Sequence, residues 1–289
     1  MQGIYLPLMT PFYPNGELAI DKIEAMIEHH LKQGVHGFYI GGSSSECFMM
    51  TIEERQQVLK IVSRIVKQRV PLIAHVGAIS FFEVKKLIEC VAEESYQAIS
   101  ATPPFYYSFT QQEVIQHYKN IAAISPLPLL LYNIPATTGV SFSHQELFEL
   151  AALNNVVGIK HTTTDMFFIE RLRVKQPDSI IFHGEDAMLV NGLQMGASGG
   201  IGSTYNLMSA QFVNIYNAMM EGDVEKAIQV QHGVNEVIQV LVQVGIYQGI
   251  HFAMRELGVD YGECRKPFMP LNDENKRRMT KVLDKIEYS

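Results

Sequence analysis

The stretch GFYIGGSSSECFMMTIEERQQVLKIVSRIVKQ, residues 37–68, carries the pattern from which the fold is read. It begins as a short apolar run, turns on two glycines and three serines, and continues with apolar positions recurring three and four apart. A strand, a polar turn and an amphipathic helix follow from that order. Thr51 opens the helix, and Glu53 and Glu54 fall in its first turn, where unpaired N–H groups favour negative charge.

The same unit repeats along the chain. Strands are predicted at 3–10, 37–43, 71–77, 98–104, 127–134, 156–162, 179–186 and 197–204, with helical patterns such as 20–34, 51–68 and 111–124 between them. Alternating strands and helices imply a parallel sheet, and eight such pairs predict an α/β protein, a closed (β/α)₈ TIM barrel. A doubly wound open sheet is the alternative that periodicity leaves standing. From 205 onward only helices are expected, at 208–222, 223–244, 247–258 and 273–287. Residues 1–222 are therefore read as the barrel and 223–289 as a C-terminal helical extension packed on it, since no linker rich in Pro, Gly or Ser separates them.

Composition narrows the partners. With 47% hydrophobic and 18% charged residues over 289 positions, the chain reads as an ordinary globular protein. A net charge of -7 without basic runs argues against nucleic acid or an anionic membrane as partner. Cys47, Cys90 and Cys264 show no CxxC spacing, and the ten histidines contain no HExxH pair, so neither a disulfide framework nor metal chemistry is indicated. The start MQGIYLPLMTPF lacks signal-peptide features, and a cytoplasmic location is expected.

In a barrel of this kind chemistry collects at the carboxyl ends of the strands. Alternation puts Gly158, Lys160 and Thr162 on one face of strand six, with Val157, Ile159 and His161 on the other. If the apolar set meets the helices, Lys160 points inward. The same parity turns Tyr132 inward beside Leu130 on strand five, next to the lysine. On strand two Tyr39, Gly41 and Ser43 share a face, and the loop that follows, Ser44, Ser45 and Glu46, offers hydroxyls and backbone amides suited to a carboxylate. Each feature has a plainer reading: Lys160 as a snorkelling strand-end residue, GGSSSE as a capped turn, and Asp186 as the N-cap of the helix at 187–196 rather than a ligand for polyol hydroxyls. GGIGST at 199–204 lacks the GK[ST] ending of a phosphate loop, so its glycines are read as permitting close approach.

Taken together, YIGGSSSECF (39–48), TIEER (51–55), TPPFYY (102–107), LLYNIPATTGV (130–140), VVGIKHT (156–162), GGIGSTYNLM (199–208) and CRKPF (264–268) resemble, in order and spacing, the motifs of the pyruvate-dependent class I aldolases. This is the superfamily of N-acetylneuraminate lyase and dihydrodipicolinate synthase, and the resemblance covers essentially the whole chain. It is closer to the lyase branch: Thr137 stands where the synthases typically carry an arginine for a second carboxylate. The resemblance implies that Lys160 forms an imine with the substrate, that Tyr132 is the acid/base, and that Ser43 and Ser44 receive the pyruvyl carboxylate. It further implies sugar-chain contacts from Thr162, Gly184, Asp186 and Ser203, with Tyr39 lining the site and Tyr106 reaching a neighbouring subunit's site in a homotetramer. No cofactor beyond the covalent imine is implied. Two positions depart from the lyase pattern. Ser45 replaces a glycine, and Ala187 replaces the glutamate that binds distal hydroxyls of the sugar.

The chemistry sets an energetic requirement. An unperturbed lysine, with a pKa near 10.4, is neutral in roughly one part in a thousand at neutral pH, so burial must lower that pKa by about three units to make the amine nucleophilic. Three functions follow as expectations: cleavage of N-acetylneuraminate to N-acetylmannosamine and pyruvate, the same chemistry on another 2-keto-3-deoxy sugar acid, or a noncatalytic barrel that binds keto acids.

Overall fold

The strand, turn and helix of residues 37–68 form one sector of a closed barrel. In the computed structural model, which describes residues 1–283 and Ile286, eight parallel strands pair in chain order and the eighth returns to the first. They are β1 (Gly3–Leu8), β2 (Gly37–Ile40), β3 (Leu72–His75), β4 (Ala98–Ala101), β5 (Leu129–Asn133), β6 (Val156–His161), β7 (Ile180–His183) and β8 (Gly199–Gly200). Around them run α1 (Ile23–Lys32), α2 (Ile52–Val66), α3 (Phe81–Ala92), α4 (Gln111–Ile124), α5 (Pro135–Thr138), α6 (His144–Ala151), α7 (Met166–Lys175) and α8 (Leu189–Gln194). The open sheet is thereby excluded.

Local chemistry fixes where the helices begin. Thr51 Oγ1 accepts from the Glu54 N–H at 3.2 Å while Glu54 Oε2 accepts from the Thr51 N–H at 2.8 Å. The same reciprocal cap opens α4 at Thr110 and Glu113, and α6 at Ser143 and Glu146. Each such cap is worth about 1 kcal/mol and stops the helix from growing back into the loop that carries site residues.

Parity sorts the core into two parts. Tyr5, Tyr39, Ile73, Ala98, Leu130, Tyr132, Phe182 and Ile201 pack inside the barrel, whereas Phe38, Ile40, Leu129, Leu131, Ile159 and Ile181 pack against the helices. Cross-strand register brings Tyr132 beside Lys160 and Lys160 beside Phe182. Val157 departs from the expected alternation. Leu129 pairs with Val156 and Leu130 with Gly158, so Val157 is an extra residue at a bulge, and Val156 is the valine that packs outward. Gly158 is required there because a Cβ would lie 1.9 Å from the Ile180 carbonyl oxygen.

Several strands are shorter than their apolar runs. β8 is only two glycines, and a Cβ on Gly199 would sit 1.9 Å from the Gly3 oxygen, so close backbone approach closes the barrel. Ser43, Thr162, Asp186 and Ser203 lie past the ladder, in the loops. After β2 the chain tightens at once into a 3₁₀ turn, with the Ser45 N–H on the Gly42 carbonyl and the Glu46 N–H on that of Ser43.

Beyond the barrel strands come α9 (Tyr205–Glu221), α10 (Val224–Val244), α11 (Ile246–Glu256) and α12 (Asp273–Leu283). α9 packs on β1 and on α10, α10 also meets α8 and the turn at Asp186, and α11 and α12 pack on α10. The helix expected over 273–287 is seen to Leu283; Asp284, Lys285 and Glu287 lie outside the described residues, as do Tyr288 and Ser289. Among the described residues no single helix is long and apolar enough to cross a membrane.

Candidate active site

Lys160 lies near the end of β6, 4% exposed, its Nζ 4.0 Å from the Tyr132 ring centroid and 4.5 Å from that of Tyr39. Its amine makes no hydrogen bond to any described residue. Burial pushes its pKa down to about 7, against the opposing pull of Asp186 and Cys47. The two ring faces also favour the cation. Desolvation prevails, and about half the amine is neutral at pH 7.

Tyr132 is buried, and burial pushes its phenol up to about 12, opposed by the Ser43 and Thr162 hydroxyls beside it. Thr162 Oγ1 has no hydrogen-bond partner of good geometry. It is also pressed toward Gly184, where a Cβ would come within 2.0 Å of it. Tyr39 donates to Ser100 Oγ at 3.1 Å, and its ring stands edge-on to Tyr132 at 6.1 Å. The serine loop is joined to the eighth strand's loop by a 2.7 Å hydrogen bond between Ser44 Oγ and Ser203 Oγ. Ser45, where the resemblance calls for glycine, costs the turn nothing: Glu46 is its left-handed residue (φ 56°), and Ser45 Oγ donates to the Leu8 carbonyl at 2.6 Å.

Asp186 does not cap the helix that follows it. No side-chain bond caps α8; instead Asp186 Oδ2 accepts from the N–H and hydroxyl of Thr204, at 2.8 and 2.6 Å. Its carboxylate links the loops after β7 and β8 because Gly202 has no Cβ, which would otherwise lie 1.6 Å from Oδ1. Burial raises the Asp186 pKa despite the Thr204 hydrogen bonds and Lys160. Lys160, Tyr132, Tyr39, Ser43, Ser44, Thr162, Gly184, Asp186 and Ser203 therefore converge on one end of the barrel. Tyr106 does not join them within the chain. It lies on the loop after β4, 83% exposed, against Tyr107.

Sequence reasoning missed the supports. Gln231 on α10 donates to the Asp186 carbonyl at 3.1 Å and accepts from the Val190 N–H at 3.3 Å, while Asn235 donates to the Ala187 carbonyl at 3.1 Å. Their signal was weak: two polar residues four apart on an amphipathic helix that carries many others. His75 was missed as well. Its Nδ1–H donates to the Gly41 carbonyl at 2.9 Å, and its ring stands 6.0 Å from Tyr132, held from behind by Arg55. A cavity of about 220 Å³, walled by Ser43, Glu46, Phe48, Thr137, Tyr247 and Phe268 among others, adjoins the cluster. Lys160 and Tyr132 do not line it, so it is a vestibule that meets the site at Ser43.

Known proteins match this arrangement from end to end. The model of the dihydrodipicolinate synthetase family matches residues 1–286. N-acetylneuraminate lyase of Rhizobium meliloti strain 1021 is 41% identical over 273 residues, covering 94% of this chain and 91% of that protein. The structure of CdNal from Clostridium difficile in complex with mannosamine superposes with a TM-score of 0.96 at 33% identity, covering 99% of each chain. That of N-acetylneuraminate lyase from Fusobacterium nucleatum complexed with pyruvate gives 0.93 at 33%, over 99% of this chain and 97% of the other.

Proposed function

The chain belongs to the dihydrodipicolinate synthetase family, whose fold it shares and in which it is a lyase, and from that premise we propose that it reversibly cleaves N-acetylneuraminate to N-acetylmannosamine and pyruvate through an imine on Lys160. The observation that carries this reading is the buried amine beside Tyr132, with a pKa near 7 and no hydrogen-bond partner to hold its proton.

The neutral amine of Lys160 attacks the keto carbon, water leaves, and the resulting iminium draws electrons from the bond to be broken. Ser43 and Ser44 hold the substrate carboxylate so that the keto carbon meets Nζ, a positioning role. Tyr132 takes up the proton of the C4 hydroxyl as the C3–C4 bond breaks, releasing the aldehyde and leaving the enamine of pyruvate. A phenol with a pKa near 12 enters this step protonated, so it works as a relay: it gains a proton as its own moves on through the neighbouring Ser43 or Thr162 hydroxyl. C3 of the enamine finally takes up one proton, and water then hydrolyses the iminium to free pyruvate and the Lys160 amine. The iminium serves as the electron sink, and the proposed reaction calls on no further cofactor.

Thr137 in the vestibule wall supports the lyase branch, since a neutral hydroxyl stands where a synthase-type arginine would neutralise a second carboxylate. Residues 1–222 supply the chemistry, and the helices from 223 onward brace the wall at Asp186 through Gln231 and Asn235. The exposed Tyr106, Tyr107 and Phe109 mark where a neighbouring copy fits in the homotetramer we expect, and three free thiols fit a reducing, cytoplasmic setting.

Two measurements test this reading. Cleavage of a panel of 2-keto-3-deoxy sugar acids should be most efficient on N-acetylneuraminate. A clear preference for a shorter acid would shift the assignment to that substrate and trace it to Ala187. The pH profile should show kcat/KM rising with pH through about 7, because the free enzyme needs Lys160 neutral and protonation disables it below that pH. Tyr132 stays protonated up to about 12 and adds no limb of its own in the ordinary range. An acid limb lying near 10 would show that Lys160 is not desolvated, and the imine reading would lose its basis.

A further inference from the structure

A second cluster of reactive groups lies outside the imine chemistry, where the turn after β2 meets α11 and the CRKPF segment. Glu46 and His251 are 4% and 2% exposed, and Glu46 Oε1 and His251 Nε2 face each other at 3.9 Å with no N–H or O–H donor on either, the Cys264 thiol being the hydrogen-bonding group beside the carboxylate. Their other atoms are committed. Glu46 Oε2 accepts from the Arg265 N–H at 2.8 Å, and the His251 Nδ1–H donates to the Gly262 carbonyl at 3.3 Å. That second bond fixes the tautomer, so Nε2 presents a lone pair to a carboxylate oxygen that also presents one. Two buried acceptors aimed at each other, with only a weak S–H donor beside them, call for a proton or a cation between them. Cys264 completes the group, with its sulfur, a carboxylate oxygen of Glu46 and a ring nitrogen of His251 all within 4.8 Å of one another.

We propose that Glu46, His251 and Cys264 form a structural site for one borderline-soft divalent cation, Zn²⁺ by its donor set, pinning the turn that carries Ser43 and Ser44 to α11 and the C-terminal segment. Carboxylate, imidazole and thiolate are zinc ligands, and bonds of about 2.0 to 2.3 Å would draw the three donors to roughly 3.5 Å apart, a closure of up to about 1.3 Å. The outer partners are already in place, the Gly262 carbonyl behind the imidazole and the Arg265 N–H behind the carboxylate. Glu46 also lines the vestibule, which gives the ion an entry path and leaves room for water as fourth ligand. On binding, the Cys264 S–H bond breaks, its electron pair goes to the metal, and the proton leaves to solvent. No sequence motif announces such a site because its ligands come from positions 46, 251 and 264.

The test is a Co²⁺ titration of tag-free, metal-stripped full chain, followed by back-titration with Zn²⁺. One saturable equivalent per chain is expected, with a near-ultraviolet thiolate-to-cobalt charge-transfer band that Zn²⁺ abolishes. Cys264→Ala should lose the band and Cys47→Ser keep it, and saturating Zn²⁺ should raise the Tm of the wild type by several degrees. Absence of a saturable thiolate band, or a band that survives Cys264→Ala, overturns the site and leaves a proton or a water between the two acceptors. Should Cys264→Ala fold poorly, alkylation of the wild type decides: peptide mass mapping must show Cys264 protected by Zn²⁺, and equal labelling with and without the ion rejects the proposal. None of these readouts depends on the imine chemistry.

Discussion

Lys160→Met lowers turnover by at least about 10⁴-fold and makes the folded protein more stable at neutral and acid pH. The loss of activity follows from removing the only atom that can form the imine. Borohydride reduction in the presence of pyruvate, which should attach one adduct to Lys160 of the wild type, should attach none to the variant. The gain in stability follows from the cost of burying an amine. In the folded state the pKa is about 7 against 10.5 for the free side chain, so the unfolded chain holds a proton there that the folded chain releases. Where both states are charged, below pH 7, burial costs the most, about 5 kcal/mol at full weight. Between pH 7 and 10.5 that penalty shrinks, and above 10.5 it is gone. Denaturant midpoints measured below pH 7 and again above 10 should therefore show Lys160→Met clearly ahead of wild type in the first case and near it in the second. Equal stability at both extremes would mean that water reaches Nζ. Retained turnover would remove the imine from the mechanism altogether.

That penalty also explains why the fold and the core of the site were legible in the sequence. A lysine on the inward face of a strand contradicts the apolar pattern around it, and such a contradiction persists when function needs it. Parity along β5 and β6 was enough to put Tyr132 beside Lys160, since a pleated strand leaves only two faces. Parity failed three residues before Lys160, at Val157, because a bulge is set by pairing with β5 and leaves no mark on β6's own alternation. Asp186 was left between capping its own helix and binding hydroxyls for a related reason. Local rules count hydrogen bonds along the chain, and its partner is Thr204 in the loop after the neighbouring β8. Gln231 and Asn235 support the same turn from more than forty residues away, and Glu46 meets His251 and Cys264 across most of the chain. Periodicity speaks for one element at a time. Contacts that depend on how elements dock stay silent until the fold is assembled.

Tyr132→Phe should separate the two halves of the reaction. Removing the phenol oxygen leaves the ring, and with it the apolar face 4.0 Å from Nζ that helps keep the amine dry. Imine formation should therefore survive: pyruvate plus borohydride should still label Lys160 nearly to completion, and the acid limb of kcat/KM should stay near pH 7. Bond cleavage should not survive intact, because the C4 hydroxyl has lost its proton relay, and kcat should fall by roughly 10²- to 10⁴-fold, the usual worth of a positioned acid/base. KM should move little, since the phenol contributes to the transition state more than to substrate binding. The expected signature is then a trapped enzyme that scarcely turns over. Loss of labelling together with kcat would reassign Tyr132 to shaping the lysine's environment, whereas near-normal kcat would place the relay on Ser43 or Thr162, the hydroxyls that already stand beside it.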